Sequence, residues 1–459
     1  MVARFGGPFL VVLAVVIAGP SRARASEEAS ASPANAILAA DLTVAEAKTI
    51  VHDLVHRQKS WEILLPNLAA LTPEVAEALA RPRECYRLSL PAVESLTPDT
   101  ARALALRTGD LDLPAVSAIT PETAAAFAKH KGHLDLGGLA TLDADVAAGL
   151  ARHSGHLCLS SLSELSPEAA AAIARQGRHL SFPGLTQVSV DAARALARHR
   201  GKSLSLAGLT SLSADVAAAL AAHEGELILP QLAELPVDAA AALAQHAGPV
   251  TLDGPFLLTP EIAASLAGHR STLTLTGRSH LPPEVALALA EHQGTLSLPG
   301  VGALAADVAS ALSLHRGVLC LPGLMTLTYG AAEALSIHQG TLVLSGLMML
   351  EPGAAAALLR HAGDIDLYQL TQTSQLDSAE VAGLLAGKTP LLTLPNVQRL
   401  DTFEAAAVAG ALADGPGAVS IPNLKAATAE TLTILLSRGN VSIPSLDAVE
   451  LLPEPQPGR

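Results

Sequence analysis

The chain has 459 residues, half of them hydrophobic, 16% charged and only 2% aromatic. That is long enough for a sizeable core, but too few aromatic side chains are present to anchor a conventional one. The net charge of −14 at pH 7 makes nucleic acid and anionic lipid poor partners, so neither is expected.

Met1 to Arg4 gives a positive start, Phe5 to Gly19 is apolar, and Ala23-Arg24-Ala25 has the small-x-small form of a cleavage site. Residues 1–25 therefore read as an export signal. The competing reading is an uncleaved anchor, but the stretch falls short of the ~20 apolar residues a spanning helix needs. Cleavage removes three arginines and no acid, taking the charge to −17. It leaves an exported chain with no membrane-spanning segment, in the periplasm, on the cell surface or outside the cell. Residues 26–40 read as a flexible leader, and residues 41–60 as an N-terminal capping helix with Ala47, Ile50, Val51, Leu54 and Val55 on one face. Three cysteines, Cys85, Cys158 and Cys320, are too few for a disulfide scaffold, and an odd count leaves one unpaired.

From Ile63 onward an apolar-x-apolar triplet recurs seventeen times. Between Leu88 and Ile365 eleven of the twelve steps are 23 residues and one is 24. In the unit from His133 to Gly155, Leu134 and Leu136 alternate with polar neighbours, as a short half-buried strand does. Leu139 and Leu142 turn the chain inward, and a helix follows. Its start is marked by a hydroxyl, a proline and an acid, as at Thr72-Pro73-Glu74, Thr97-Pro98-Asp99, Thr120-Pro121-Glu122, Ser166-Pro167-Glu168 and Thr259-Pro260-Glu261. A glycine follows each helix, for example Gly132, Gly155, Gly317 and Gly340, and predicts a left-handed residue there. About ten helical residues cannot survive alone, so each unit must lean on its neighbours, as in a solenoid. Residues 61–365 form the regular array. Residues 366–445, with triplet steps of 27, 27 and 22, form irregular repeats and a cap, and residues 446–459 read as a tail.

The segment Leu134-x-Leu136-x-x-Leu139-x-x-Leu142 followed by a helix resembles the leucine-rich repeat, over about residues 60 to 445, in the Ala-rich style of secreted bacterial repeat proteins. The resemblance implies an α/β solenoid with a parallel sheet on the concave side and short helices on the convex side. Where that family commonly carries an asparagine that ties successive coils, this chain has Leu139, Leu162, Leu185 and Leu209, so no asparagine ladder is expected there.

Ten histidines share one repeat position near the helix end: His130, His153, His199, His223, His246, His269, His292, His315, His338 and His361. A capping column accounts for them, and a pH-sensitive column is the sharper alternative. On the strands, His133, Asp135, His156 and Cys158 fall at neighbouring positions of adjacent coils and offer zinc-type ligands; zinc is the one cofactor the sequence raises. The remaining face is expected to carry Asp110, Asp112, His179, Ser181, Ser205, Thr251, Thr274 and Ser297 toward a partner. No strained nucleophile turn, phosphate-cradling loop or zinc-hydrolase helix motif occurs. The expectation is an exported, non-catalytic scaffold binding a macromolecule, protein or glycan. A structural cell-envelope component and a zinc-binding patch are the alternatives.

Overall fold

A computed structural model describes residues 41–57, 62–80 and 87–453. The expected signal, leader and Cys85 lie outside them. The coils begin with a helix at Val44–Val51, opened by a capping box in which the Thr43 side chain accepts from the Glu46 N–H and Glu46 reaches back. The helix continues in wider π-type turns through His52–Arg57, and Ala47, Ile50 and Val51 are buried against the first coil.

Fourteen parallel strands then stack in chain order, from Glu62–Leu64 to Ile365–Asp366, each pairing only with its sequence neighbours in that sheet. The register is one repeat per step: Leu88 pairs with Leu111, Leu134 with Leu157, Leu273 with Leu296 and Leu342 with Ile365. Each strand is two to four residues long because only the apolar-x-apolar triplet is extended. Both leucines of the triplet point into the core, as Leu134 and Leu136 do, and Leu139 and Leu142 close the coil from beneath. The predicted N-caps are present: Thr97, Thr120, Ser166 and Thr259 each accept a hydrogen bond from the N–H three residues on, with proline opening the helix.

Alanine has a definite place in this packing. Ala147, Ala170, Ala193, Ala217, Ala240, Ala263, Ala286 and Ala309 occupy one position in successive helices, and all are fully buried. A methyl group there lets short helices approach one another without a gap. Parallel strands sit ~4.8 Å apart while packed helices need ~8–10 Å. The helical side is therefore the longer arc, and the sheet lines the inner one.

The helix-end glycines differ from expectation. Among the described glycines a positive φ occurs only at Gly254, Gly277, Gly353 and Gly439, none of which is a helix-end glycine of the regular repeats. The helices instead finish in right-handed residues and a tight turn, as where Arg152 N–H meets Gly149 O and His153 N–H meets Leu150 O. Glycine is required for closeness. A Cβ at Gly155 would lie 1.8 Å from the carbonyl oxygen of Gly132 one coil earlier, and one at Gly340 would lie 1.9 Å from that of Gly317.

After Ile365–Asp366 the strand stack breaks. A short helix at Tyr368–Thr371 fills the longer step, and a separate three-stranded parallel sheet begins at Leu391–Thr393. The helical layer nevertheless continues across the break, the helix Ala379–Lys388 packing on Ala354–Leu359. Two further short parallel sheets, Thr326–Leu327 with Met349–Leu350 and Arg399–Leu400 with Ala426–Thr428 and Glu450–Leu452, lie outside the triplet pattern. The last of these strands corrects the expected tail. Residues 446–452 form a 3₁₀ turn and a paired strand, because the unpaired edge of Ala426–Thr428 offers backbone groups that need partners. One hydrophobic cluster runs from Leu42 to Val449.

Candidate functional site

Two surfaces repeat with the coil: a buried donor column at the helix ends and a half-exposed column along the sheet.

The column reads Arg107, His130, His153, Gln176, His199, His223, His246, His269, His292, His315, His338 and His361, all buried, and ends at the half-buried Lys388. The ten histidines are at most 2% exposed, and adjacent rings in the column stack with centroids 5.2 to 6.3 Å apart. Four of them bond back to carbonyls of the preceding coil, while His153 bonds forward to His156 O at 3.3 Å. Nε2–H of His130 donates to Gly109 O at 2.9 Å, of His246 to Gly225 O at 2.9 Å, of His292 to Ser271 O at 3.1 Å and of His361 to Gly340 O at 3.0 Å. On the other side of the ring, Nδ1 of His315 accepts from Gly317 N–H at 3.2 Å, and Nδ1 of His338 from Gly340 N–H at 3.1 Å. A donor at Nε2 fits His130, His292 and His361, and an acceptor at Nδ1 fits His315 and His338, whereas at His246 both ring nitrogens face carbonyl oxygens, Nδ1 lying 3.3 Å from Ala221 O.

The exceptions obey the same rule. Gln176 donates through Nε2 to Gly155 O at 2.5 Å and accepts at Oε1 from Arg178 N–H at 2.8 Å, which copies both roles of a neutral imidazole. Arg107 donates to Gly109 O, and Lys388 to His361 O one coil back. The capping expectation is thus met in chemistry, but the principal carbonyls belong to the preceding coil's exit turn. The column does the tying that an asparagine ladder does elsewhere. In the C-terminal coils asparagines at a different position, the turn after the strand, also tie coil to coil: Asn396 donates to Gln372 O at 2.9 Å and Asn423 to Pro395 O at 2.8 Å.

Burial pushes the imidazoles toward the neutral form. His130, His199, His315 and His338 are pushed down to about 4, first by burial; for the last three the charge of a stacked neighbour adds to it, and for His130 so do His153 and Arg107. His153, His223, His269, His292 and His361 are lowered as well, again mainly by burial.

The sheet column is in register from end to end: Ser89, Asp112, Asp135, Cys158, Ser181, Ser205, Ile228, Thr251, Thr274, Ser297, Cys320, Val343 and Asp366 are successive strand partners. One in-register sheet column, one helix per coil and a donor column tying the coils complete the architecture. The chain is a leucine-rich-repeat-like solenoid.

Among the residues expected on the face, Asp110 and His156 are exposed, and His179, Ser181, Ser205, Thr251, Thr274 and Ser297 are half-buried. Asp112 is only 5% exposed, beneath Arg87, whose Nε donates to its Oδ2. Of the four expected zinc ligands, His133 and Asp135 converge, and they do so with Asp112. His156 stacks on His179 with ring centroids 4.2 Å apart, and lies 6.4 Å from the His133 ring. Cys158 Sγ bonds to Ser160 Oγ at 3.3 Å, and burial pushes its thiol up. Asp112 had been legible as a face residue but not as a neighbour of His133, because the diagonal across two strands depends on rotamers. A depression of about 530 Å³ opens beside this cluster, lined by Arg87, Asp110, Asp112, Lys131, Gly132, His133 and His156.

No protein-family model matches the chain, and no curated protein does. Similar solved structures include a leucine-rich-repeat protein of Leptospira interrogans, 16% identical over 82% of this chain and 93% of that one, with a TM-score of 0.33. An internalin of Listeria monocytogenes is 15% identical over 73% of this chain and 97% of that one, TM-score 0.34. Drosophila Toll, solved in complex with Spatzle, is 13% identical with a TM-score of 0.36; the match covers 78% of this chain but only 53% of Toll.

Proposed function

We propose that the protein is an exported, non-catalytic scaffold that binds a macromolecular partner, a protein or a glycan, across its sheet face. The observation that carries this reading is the unbroken column from Ser89 to Asp366, a run of mostly small or polar side chains one strand apart. A long open array of this kind matches an extended surface and not the enclosed, largely apolar pocket that a small substrate needs. The middle of the face, from Ser181 through Ser297, carries hydroxyls at half exposure with few charges, where a partner can dock without stripping ions of water. The acidic balance of the chain argues against nucleic acid as that partner. Export rests on the amino-terminal sequence pattern, and among the described residues no helix is long and apolar enough to cross a membrane.

The test is capture from the envelope fraction of the native host, comparing the unaltered chain with one carrying Ser205→Arg, Thr251→Arg and Thr274→Arg. A defined protein or glycan held by the first and lost from the second supports the reading. Capture that is indifferent to the three arginines refutes the sheet face as the site, and a chain found only as self-associated insoluble envelope material points to a structural role.

A further inference from the structure

Asp112 and Asp135 are direct strand partners, so two carboxylates sit one strand spacing apart on the sheet face. Arg87 compensates only one oxygen of the pair, Oδ2 of Asp112. The other oxygen of Asp112, on a side chain nine-tenths buried, accepts no hydrogen bond, and neither does Oδ1 of Asp135. A buried carboxylate oxygen without a donor is costly and requires a cation or a proton. His133 completes the group: its backbone N–H is held by Asp110 Oδ1 at 3.0 Å, and one ligand atom each from Asp112, His133 and Asp135 all lie within 4.8 Å of one another.

We propose that Asp112, His133 and Asp135 bind one divalent transition-metal ion, with the remaining coordination positions open to the adjoining depression. One imidazole and two carboxylates form a mixed nitrogen and oxygen set of the kind zinc accepts, and three protein ligands with an open position is a recognised arrangement for it. Calcium is disfavoured, because it takes six to eight oxygens and this cluster supplies few. Arg87 engages Oδ2 of Asp112, so the oxygen left for an ion is Oδ1. The rival occupant is a proton on Asp135 shared with Asp112.

The experiment is a calorimetric titration of the purified chain with zinc chloride alone, accompanied by the visible spectrum of the cobalt(II) form. The expected result is one ion per chain. Affinity falls at least tenfold in each of Asp112→Asn, His133→Ala and Asp135→Asn, and is unchanged in Cys158→Ser and His179→Ala. Cobalt shows ligand-field bands without a sulfur charge-transfer band. Far-UV circular dichroism reports whether each variant folds, and His133→Gln replaces any of the three that does not. Absence of binding assigns the pair to a shared proton and overturns the proposal. So does binding that survives the cluster substitutions, or a sulfur band that disappears in Cys158→Ser. Because the readout is metal binding by the isolated chain, its outcome is separate from that of partner capture.

Discussion

Acidification is the perturbation to which this fold is most exposed. At His315 and His338 the neutral ring accepts at Nδ1 from the N–H of Gly317 and Gly340, and protonation turns that acceptor into a donor facing a backbone N–H. For His130, His199, His315 and His338 the folded value is about 4, against 6.5 for an unperturbed imidazole. Between those values the unfolded chain binds protons that the folded chain refuses. Stability is therefore fully present above pH 6.5, declines as pH falls, and flattens near pH 4. At pH 5 a single such ring costs about 2 kcal/mol, and because stacked rings act on one another's charge the four costs are coupled and do not simply add. Urea unfolding followed by far-UV circular dichroism at pH 7.5, 6 and 5 reads this directly. The comparison is with His199→Gln, His315→Gln and His338→Gln combined, because Gln176 already fills the same position with both bonds made. The variant is expected to match the parent at pH 7.5 and to retain more of its stability at pH 5, by at least the roughly 2 kcal/mol of one ring. Equal acid losses in the two proteins, or collapse of the variant at neutral pH, would refute the reasoning.

Other outcomes follow from the packing. Gly340→Ala places a methyl carbon 1.9 Å from the Gly317 carbonyl oxygen and should cost about 1–3 kcal/mol or more, whereas Gly177→Ala meets nothing within 4 Å and should be neutral or stabilising by about 0.5 kcal/mol; paired thermal melts separate them. Leu204→Ala, at a fully buried strand position in mid-array, should cost about 2–5 kcal/mol in urea denaturation. Thr259→Ala removes the hydroxyl that accepts from Ile262 N–H and should cost about 1 kcal/mol. Cys158 and Cys320 are both free, and burial raises both thiols, so alkylation by iodoacetamide at pH 7.5 should be slow in the folded chain and fast in urea.

The distance from sequence to structure differs from one part of the protein to the next. The strand register needed nothing beyond the 23-residue spacing, since a slip of one residue would turn every leucine of a triplet outward. The helix starts were equally plain, because a hydroxyl, a proline and an acid each act on groups two or three residues away. The metal-type cluster was half visible. His133 and Asp135 stood on one strand, but the convergence with Asp112 and not Cys158 goes with Arg87 fixing one carboxylate and Ser160 engaging the thiol. The break in the sheet after Asp366 was foreshadowed by the 27-residue step, while the strand at Glu450–Leu452 was hidden in a segment whose prolines suggest a tail.

By itself the sequence determined periodicity, layer order and the identity of every core column, since these follow from side-chain type at fixed spacing and neighbours one coil away are copies of one another. Only the tertiary structure decided what the glycines and histidines are for. Both were legible as helix-end residues, and both turn out to serve the contact between coils: glycine admits the previous carbonyl, and at His130, His246, His292 and His361 the ring beside it donates to that carbonyl. Such roles depend on distances across the stack, which a pattern along the chain does not encode.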